Sequence, residues 1–161
     1  MKILILGAGR VGSSLASTLS RQEYEVSIVD LNKDKLLRLQ EDCDLATEIG
    51  HASHPVTLEK AGADEETIVL AVTNSDECNI TSCQIAKSKF NVKKTICRLS
   101  DASYLESLEA FGKDNIDIAI GPENEVTEHL VDLIKHPGAE QIESFANGSL
   151  KAVSVKARKD G

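Results

Sequence analysis

Gly7-Ala8-Gly9-Arg10-Val11-Gly12 is the stretch that most narrows the folds open to this chain. Residues 3–6 just before it, Ile-Leu-Ile-Leu, form a short, continuous apolar run. Such a run fits a strand buried on both faces of a parallel sheet. In the GxGxxG pattern the glycines have separate tasks. Gly7 allows the tight turn out of the strand, Gly9 lets backbone approach a pyrophosphate, and Gly12 lets helix and strand pack closely. A helix starting near Arg10 then turns its free N–H groups and positive dipole end toward the phosphates. Asp30 closes the next strand, 18 residues after Gly12. A carboxylate there accepts hydrogen bonds from ribose hydroxyls and repels a 2′-phosphate. A βαβ turn with chance glycines would not need the strand, the helix and the acid in this order.

The totals exclude several classes. A chain of 161 residues with 41% hydrophobic and 27% charged residues has the length and composition of one globular domain. The net charge of -8 argues against a nucleic-acid partner and against docking on anionic lipid. Five Phe and Tyr residues and no Trp leave little with which to stack bases. Four apolar residues before Gly7 are too few for a signal-peptide core, and no run reaches the ~18 residues of a membrane span. Direct membrane insertion is therefore not expected. Cys43, Cys78, Cys83 and Cys97 show no CxxC spacing and are expected as buried or half-buried thiols.

Strand-like and helix-like segments alternate along the chain. The first helix is expected over residues 10–21, with Val11, Leu15, Ala16 and Leu19 facing inward. Residues 25–30 form the second strand. Asn32 caps a second helix that buries Leu36, Leu37 and Leu39. A third strand is expected over 45–49, and a loop at 50–55 leads into a short helix with Pro55 in its first turn and Gly62 at its end. The fourth strand is expected over 67–72. Asn74 as N-cap with Glu77 three residues on suggests a loose capping box for a helix to about Lys89. A fifth strand at 95–99, a helix capped by Ser100 to about Phe111, a sixth strand at 116–120 and a helix at 123–135 complete the pattern. Six such units make an α/β Rossmann fold, a doubly wound, six-stranded parallel sheet. After His136-Pro137-Gly138 the pattern changes. Residues 141–146 and 149–157 read as a hairpin around Asn147-Gly148. The expected division is a Rossmann domain at 1–137 and a short C-terminal β extension at 138–161. That extension would be a linker and the start of a second subdomain, with the chain a fragment cut inside it.

These stretches, with Gly50-His51-Ala52-Ser53-His54-Pro55, Ala71-Val72-Thr73-Asn74-Ser75-Asp76-Glu77-Cys78-Asn79 and Leu133-Ile134-Lys135-His136-Pro137-Gly138-Ala139, resemble the TrkA family along essentially the whole chain. That family comprises the cytosolic regulators of bacterial Trk potassium uptake, and their N-terminal half is an RCK or KTN domain. The resemblance implies a domain that binds NAD(H), ADP or ATP as a signal and catalyses nothing. It also implies homodimers or higher rings and a membrane potassium transporter subunit as partner. The location implied is cytoplasmic, peripheral to the membrane through that partner. Carried over by the resemblance, Gly7, Ala8, Gly9, Arg10 and Val11 form the phosphate loop and Asp30 is the ribose carboxylate. Thr73 and Asn74 line the adenosine and phosphate side, and Arg98 binds phosphate. Relatives often carry a second basic residue where this chain has Ser100, which bears on how a third phosphate is held.

Each candidate also has a plain structural reading. Arg10 would be a solvated side chain in a first helical turn, where the dipole disfavours it. Arg98 would be a salt bridge to Asp76 or Glu77, and a ligand phosphate could replace that carboxylate. His51 and His54 lack the third ligand of a zinc site, so no metal is expected; His51 could instead lie near the adenine. Asp76 and Glu77 would be dipole-compensating caps. The alternative function is the cofactor domain of an NAD-dependent oxidoreductase, which requires a substrate domain and a general acid at the nicotinamide. A purely structural dimerisation unit with an idle cleft is the third reading.

Overall fold

The computed structural model describes residues 1–107, 115–121, 139–145 and 150–155. They fall in two compact units, Met1–Gly121 and Pro122–Gly161. In the first unit the strands are β1 (Lys2–Leu6), β2 (Glu25–Asp30), β3 (Ala46–Ile49), β4 (Thr67–Ala71), β5 (Lys94–Arg98) and β6 (Ile118–Ile120). The helices are α1 (Arg10–Arg21), α2 (Lys33–Asp42), α3 (Pro55–Lys60), α4 (Asp76–Phe90) and α5 (Ala102–Glu106). All six strands lie parallel in the order β3-β2-β1-β4-β5-β6. The order reverses beside β1, so the crevice at the carboxyl ends of β1 and β4 is where ligands bind in sheets of this kind.

The apolar content of the strands explains their place. Ile3 and Ile5 of β1 pack with Val26, Ile28, Ala16 and Leu36 in one cluster. Leu4 and Leu6 pack with Val69, Ala71, Cys97 and Leu99 in the other. The central strand thus feeds both cores, as its unbroken apolar run requires. Main-chain bonds extend the ladder past the strand ends: Gly7 N–H to the Val29 carbonyl at 2.8 Å, Val72 N–H to Leu6 at 2.9 Å and Gly50 N–H to Asp30 at 3.1 Å. These bonds hold the loops that leave β1, β3 and β4 side by side.

Several local expectations shift. Val11 and Leu37 are each 45% exposed rather than turned inward. Gly12 and Ala16 occupy the buried line of α1, because the helix approaches β1 too closely for a larger side chain at Gly12. The cap of α4 is Ser75, not Asn74, and its hydroxyl accepts the Cys78 N–H at 3.2 Å. Glu77 closes no box on Asn74; its carboxylate accepts from the Ser75 hydroxyl at 2.8 Å. The cap of α5 is Asp101, not Ser100, and it accepts from Ser103 N–H at 2.8 Å. Aspartate accepts more strongly than serine, and the Ser100 N–H is already bonded to Asp76. Pro55 stands in the first turn of α3, and Gly62 takes φ +85° just past its end. The expected reach of α5 to Phe111 and the helix at 123–135 lie outside the described residues.

In the second unit β7 (Ala139–Phe145) pairs antiparallel with β8 (Leu150–Val155), with Phe145 opposite Leu150 and a register irregularity between Ala139 and Gln141. The Asn147-Gly148 turn is outside the described residues.

Candidate functional site

The turn after β1 is built by close contacts. Gly7 adopts φ +105°, and a Cβ there would meet the Thr73 backbone at 3.0 Å. A Cβ on Gly12 would stand 1.8 Å from the Gly7 carbonyl oxygen, so α1 sits directly on the turn. A Cβ on Gly9 would meet nothing within 4 Å. Gly9 therefore faces open space, while Gly7 and Gly12 face protein. Gly9 is the N-cap of α1 and brings no side-chain cap, so the first-turn N–H groups of the helix have no side-chain acceptor there.

Asp30 ends β2 beside this turn. Its Oδ2 accepts the Ala8 N–H at 2.6 Å and its Oδ1 accepts the Asn32 N–H at 2.8 Å. The acid expected at the ribose thus also holds the glycine turn in place. The opposite wall is the exit of β4. Buried Asn79 of α4 accepts from Thr73 N–H at 2.9 Å and from the Thr73 hydroxyl at 2.7 Å. Its Nδ2 donates to the Thr73 carbonyl at 3.2 Å and to the Arg98 carbonyl at 2.9 Å. Asp76, also buried, accepts the N–H groups of Ser100 and Asp101, both at 2.8 Å.

These elements enclose a cleft of about 800 Å³. Gly7, Gly9, Arg10, Val11, Asp30, Thr73, Asn74 and Arg98 all line it. Ala8 and Gly12 do not. Ala8 is buried, and its N–H is taken by Asp30; Gly12 is packed under the turn. Arg98 forms no salt bridge with Asp76 or Glu77. Among the described residues its Nη1 donates only to the Thr73 carbonyl, at 3.3 Å. His51 lines the cleft, bonds Ser53 Oγ through Nδ1 at 2.8 Å and stacks on His54 with centroids 4.9 Å apart. Among the described residues no group of three or more His, Cys, Asp or Glu is arranged to hold a metal ion.

Sequence reasoning missed Lys35, Cys78 and Thr81 as lining residues. Lys35 lies one turn into α2 beyond Asp30, and Cys78 and Thr81 share the cleft face of α4 with Glu77, so helical spacing from residues already singled out was the available signal. Arg10, Lys35 and Arg98 all reach the cleft, and among the described residues none forms an ion pair. Glu77 is the exposed anion at its rim. Its own N–H, the Ser75 hydroxyl and the Tyr104 hydroxyl hold its carboxyl below the usual range. The same bond raises Tyr104.

A parallel sheet in this order, with a glycine turn at the reversal point and an acid ending the second strand, defines a doubly wound domain of the Rossmann class. Residues 3–122 match the TrkA-N domain, and the chain belongs to that family. It is 44% identical to the Trk system potassium uptake protein TrkA of Vibrio alginolyticus over 160 residues, covering 98% of this chain and 35% of that protein. It is 41% identical to the protein of the same name from Halomonas elongata over 159 residues, with the same coverage of both. The chain thus spans about a third of the length of the curated relatives it matches. A solved structure of the GsuK channel bound to NAD superposes with a TM-score of 0.61 at 19% identity, over 90% of this chain and 24% of that one. Among the described residues no helix is long and apolar enough to cross a membrane.

Proposed function

We propose that this chain is the nucleotide-sensing part of a regulatory subunit of a potassium uptake system. It takes NAD(H), ADP or ATP in the cleft at the ends of β1 and β4 and acts on a membrane transporter as a homodimer or ring, in the cytoplasm at the membrane face. The observation that carries this reading is the set of Arg10, Lys35 and Arg98, three cations without an ion pair among the described residues, lining one cleft with a helix N-terminus. Cations so placed call for a polyanionic ligand. Phosphate rests against Gly9 and the first turn of α1, with Arg10 and Arg98 to either side. The ribose hydroxyls meet Asp30, while Thr73 and Asn74 line the far wall. The family membership and the TrkA relatives support the potassium system, and the NAD-bound GsuK channel shares the fold. The domain catalyses nothing: different nucleotides bias two states through different contacts.

Calorimetric titration with NAD+, NADH, NADP+, ADP and ATP, with a turnover assay alongside, tests the proposal. Binding of ligands lacking a 2′-phosphate, without turnover, is the expected result. No binding by any of them overturns it.

A further inference from the structure

We infer that Asn79 is a positioning residue for Arg98, holding its main chain while leaving its guanidinium free to leave for a phosphate. The inference rests on the reading of Arg98 as a phosphate contact.

Asn79 is fully buried, and all its polar capacity is committed in the ways described above: two bonds accepted at Oδ1 and two donated from Nδ2. Asn79 thereby joins the exit of β4 to the last residue of β5. Arg98 itself is half-buried between Cys97 and Leu99, both fully buried, so its backbone is fixed and its side chain alone can swing. Asp76, one helical turn earlier on the same face, holds the next two N–H groups of that chain, Ser100 and Asp101. The two residues together clamp the segment that carries Arg98.

The Thr73 carbonyl makes the arrangement more than a brace. It accepts Arg98 Nη1 at 3.3 Å, a long bond, and Asn79 Nδ2 at 3.2 Å. A carbonyl oxygen has two lone pairs, so it serves both donors. When the guanidinium turns to a phosphate, the Asn79 amide stays behind and the carbonyl keeps a partner. Orphaning a partly buried acceptor is the usual cost of moving such a side chain, and here it does not arise. Arg98 is parked where leaving is easy.

The test compares adenosine with ADP, because the difference between their affinities isolates what the phosphates contribute. Asn79→Asp keeps the acceptors for Thr73 and removes the donors to Thr73 and Arg98. The expected result is an ADP affinity about tenfold weaker, the worth of one buried hydrogen bond, with adenosine unchanged. Arg98→Ala should lower ADP affinity in the same selective way, and the double variant should lose little beyond Arg98→Ala alone. Equal weakening of both ligands, or full additivity with Arg98→Ala, would make Asn79 merely structural and overturn the inference. Should Asn79→Asp fail to fold, Asp76→Asn loosens the same segment from the Ser100 side, and the same selective, non-additive pattern is required of it. If Arg98→Ala alone leaves the gap between ADP and adenosine intact, the phosphate reading of Arg98 fails first, and the inference with it.

Discussion

Substituting the second and third glycines of the loop should separate ligand binding from folding. In Gly12→Ala the new methyl group would begin 1.8 Å from the Gly7 carbonyl oxygen, whereas real Cβ contacts start near 3.0 Å. Helix and turn must part by more than an ångström, and what they would push against is backbone on one side and fully buried Ile5 on the other. Overpacking of this kind costs about 3 kcal/mol, and the better helix propensity of alanine returns about 1 kcal/mol. The net loss of about 2 kcal/mol corresponds to about 6 °C in melting temperature for a chain of this length. Gly9→Val starts from φ -77°, a conformation any residue adopts, with nothing within 4 Å of its Cβ. It should melt within about 4 °C of the parent, since replacing the N-cap glycine of α1 by valine costs about 1 kcal/mol. Its side chain fills the space through which a phosphate would approach, so nucleotide binding should be lost. Thermal unfolding by circular dichroism and calorimetric titration with ADP on the same samples decide the matter. A Gly12→Ala protein that melts with the parent would refute the packing argument. A Gly9→Val protein that binds ADP like the parent would refute the placement of phosphate at the loop.

Asp30→Asn keeps an acceptor for one of the two N–H groups and gives up the charge, so it should cost about 1–2 kcal/mol of stability and weaken ADP binding; an unchanged melting temperature would show that the bond to Ala8 does not hold the turn. Thiol labelling of the folded protein should modify Cys43 and Cys78 and spare Cys83 and Cys97, since contact with Cys97, together with burial, raises the Cys83 thiol well above its ordinary range. Saturating ADP should then protect Cys78, which lines the cleft, and leave Cys43 reactive. Stability should fall in acid. Burial raises the Asp117 carboxyl, but hydrogen bonds from Lys87 (2.9 Å) and Thr95 (2.6 Å to its N–H) outweigh it, and the net shift is downward. A depressed carboxylate adds stability that is present above the ordinary value near pH 4 and is lost as pH falls through the lowered one, so urea midpoints should drop below about pH 4 and Asp117→Asn should flatten that drop.

Residues 3–6 and 67–72 announced their strands because each holds a continuous apolar run bounded by turn signals, and a doubly wound parallel sheet follows once six βα units alternate, although its strand order does not. The place of Asp30 at the end of β2 was legible from its spacing alone. The caps of α4 and α5 were misplaced by one residue because Asn74, Ser75 and Asp76, like Ser100 and Asp101, are adjacent residues that all cap well. Only the tertiary bonds of Asp76 decide between them. Val11 faces the cleft because Gly12 takes the close contact with β1, which a hydrophobic pattern does not reveal. Lys35, Cys78 and Thr81 escaped because they stand on α2 and α4, and the cleft-facing side of a helix looks like any other polar surface in sequence. Asn79 was visible only as a residue in a motif. Its four bonds join segments 6 and 19 positions away, and no local pattern encodes them.

The bond from Ala8 N–H to Asp30 also bears on how such a domain can evolve. A lineage drifting toward a ligand with a 2′-phosphate must first shed the negative charge at the tip of β2. Here that step also strips the glycine turn of its brace. A replacement that brings no acceptor, such as a basic residue, would be selected against for poor folding before any new ligand could reward it, unless another acceptor for Ala8 arose beforehand. The order of mutations is thereby restricted, and the position should tolerate very little neutral variation even in descendants whose cleft has fallen out of use.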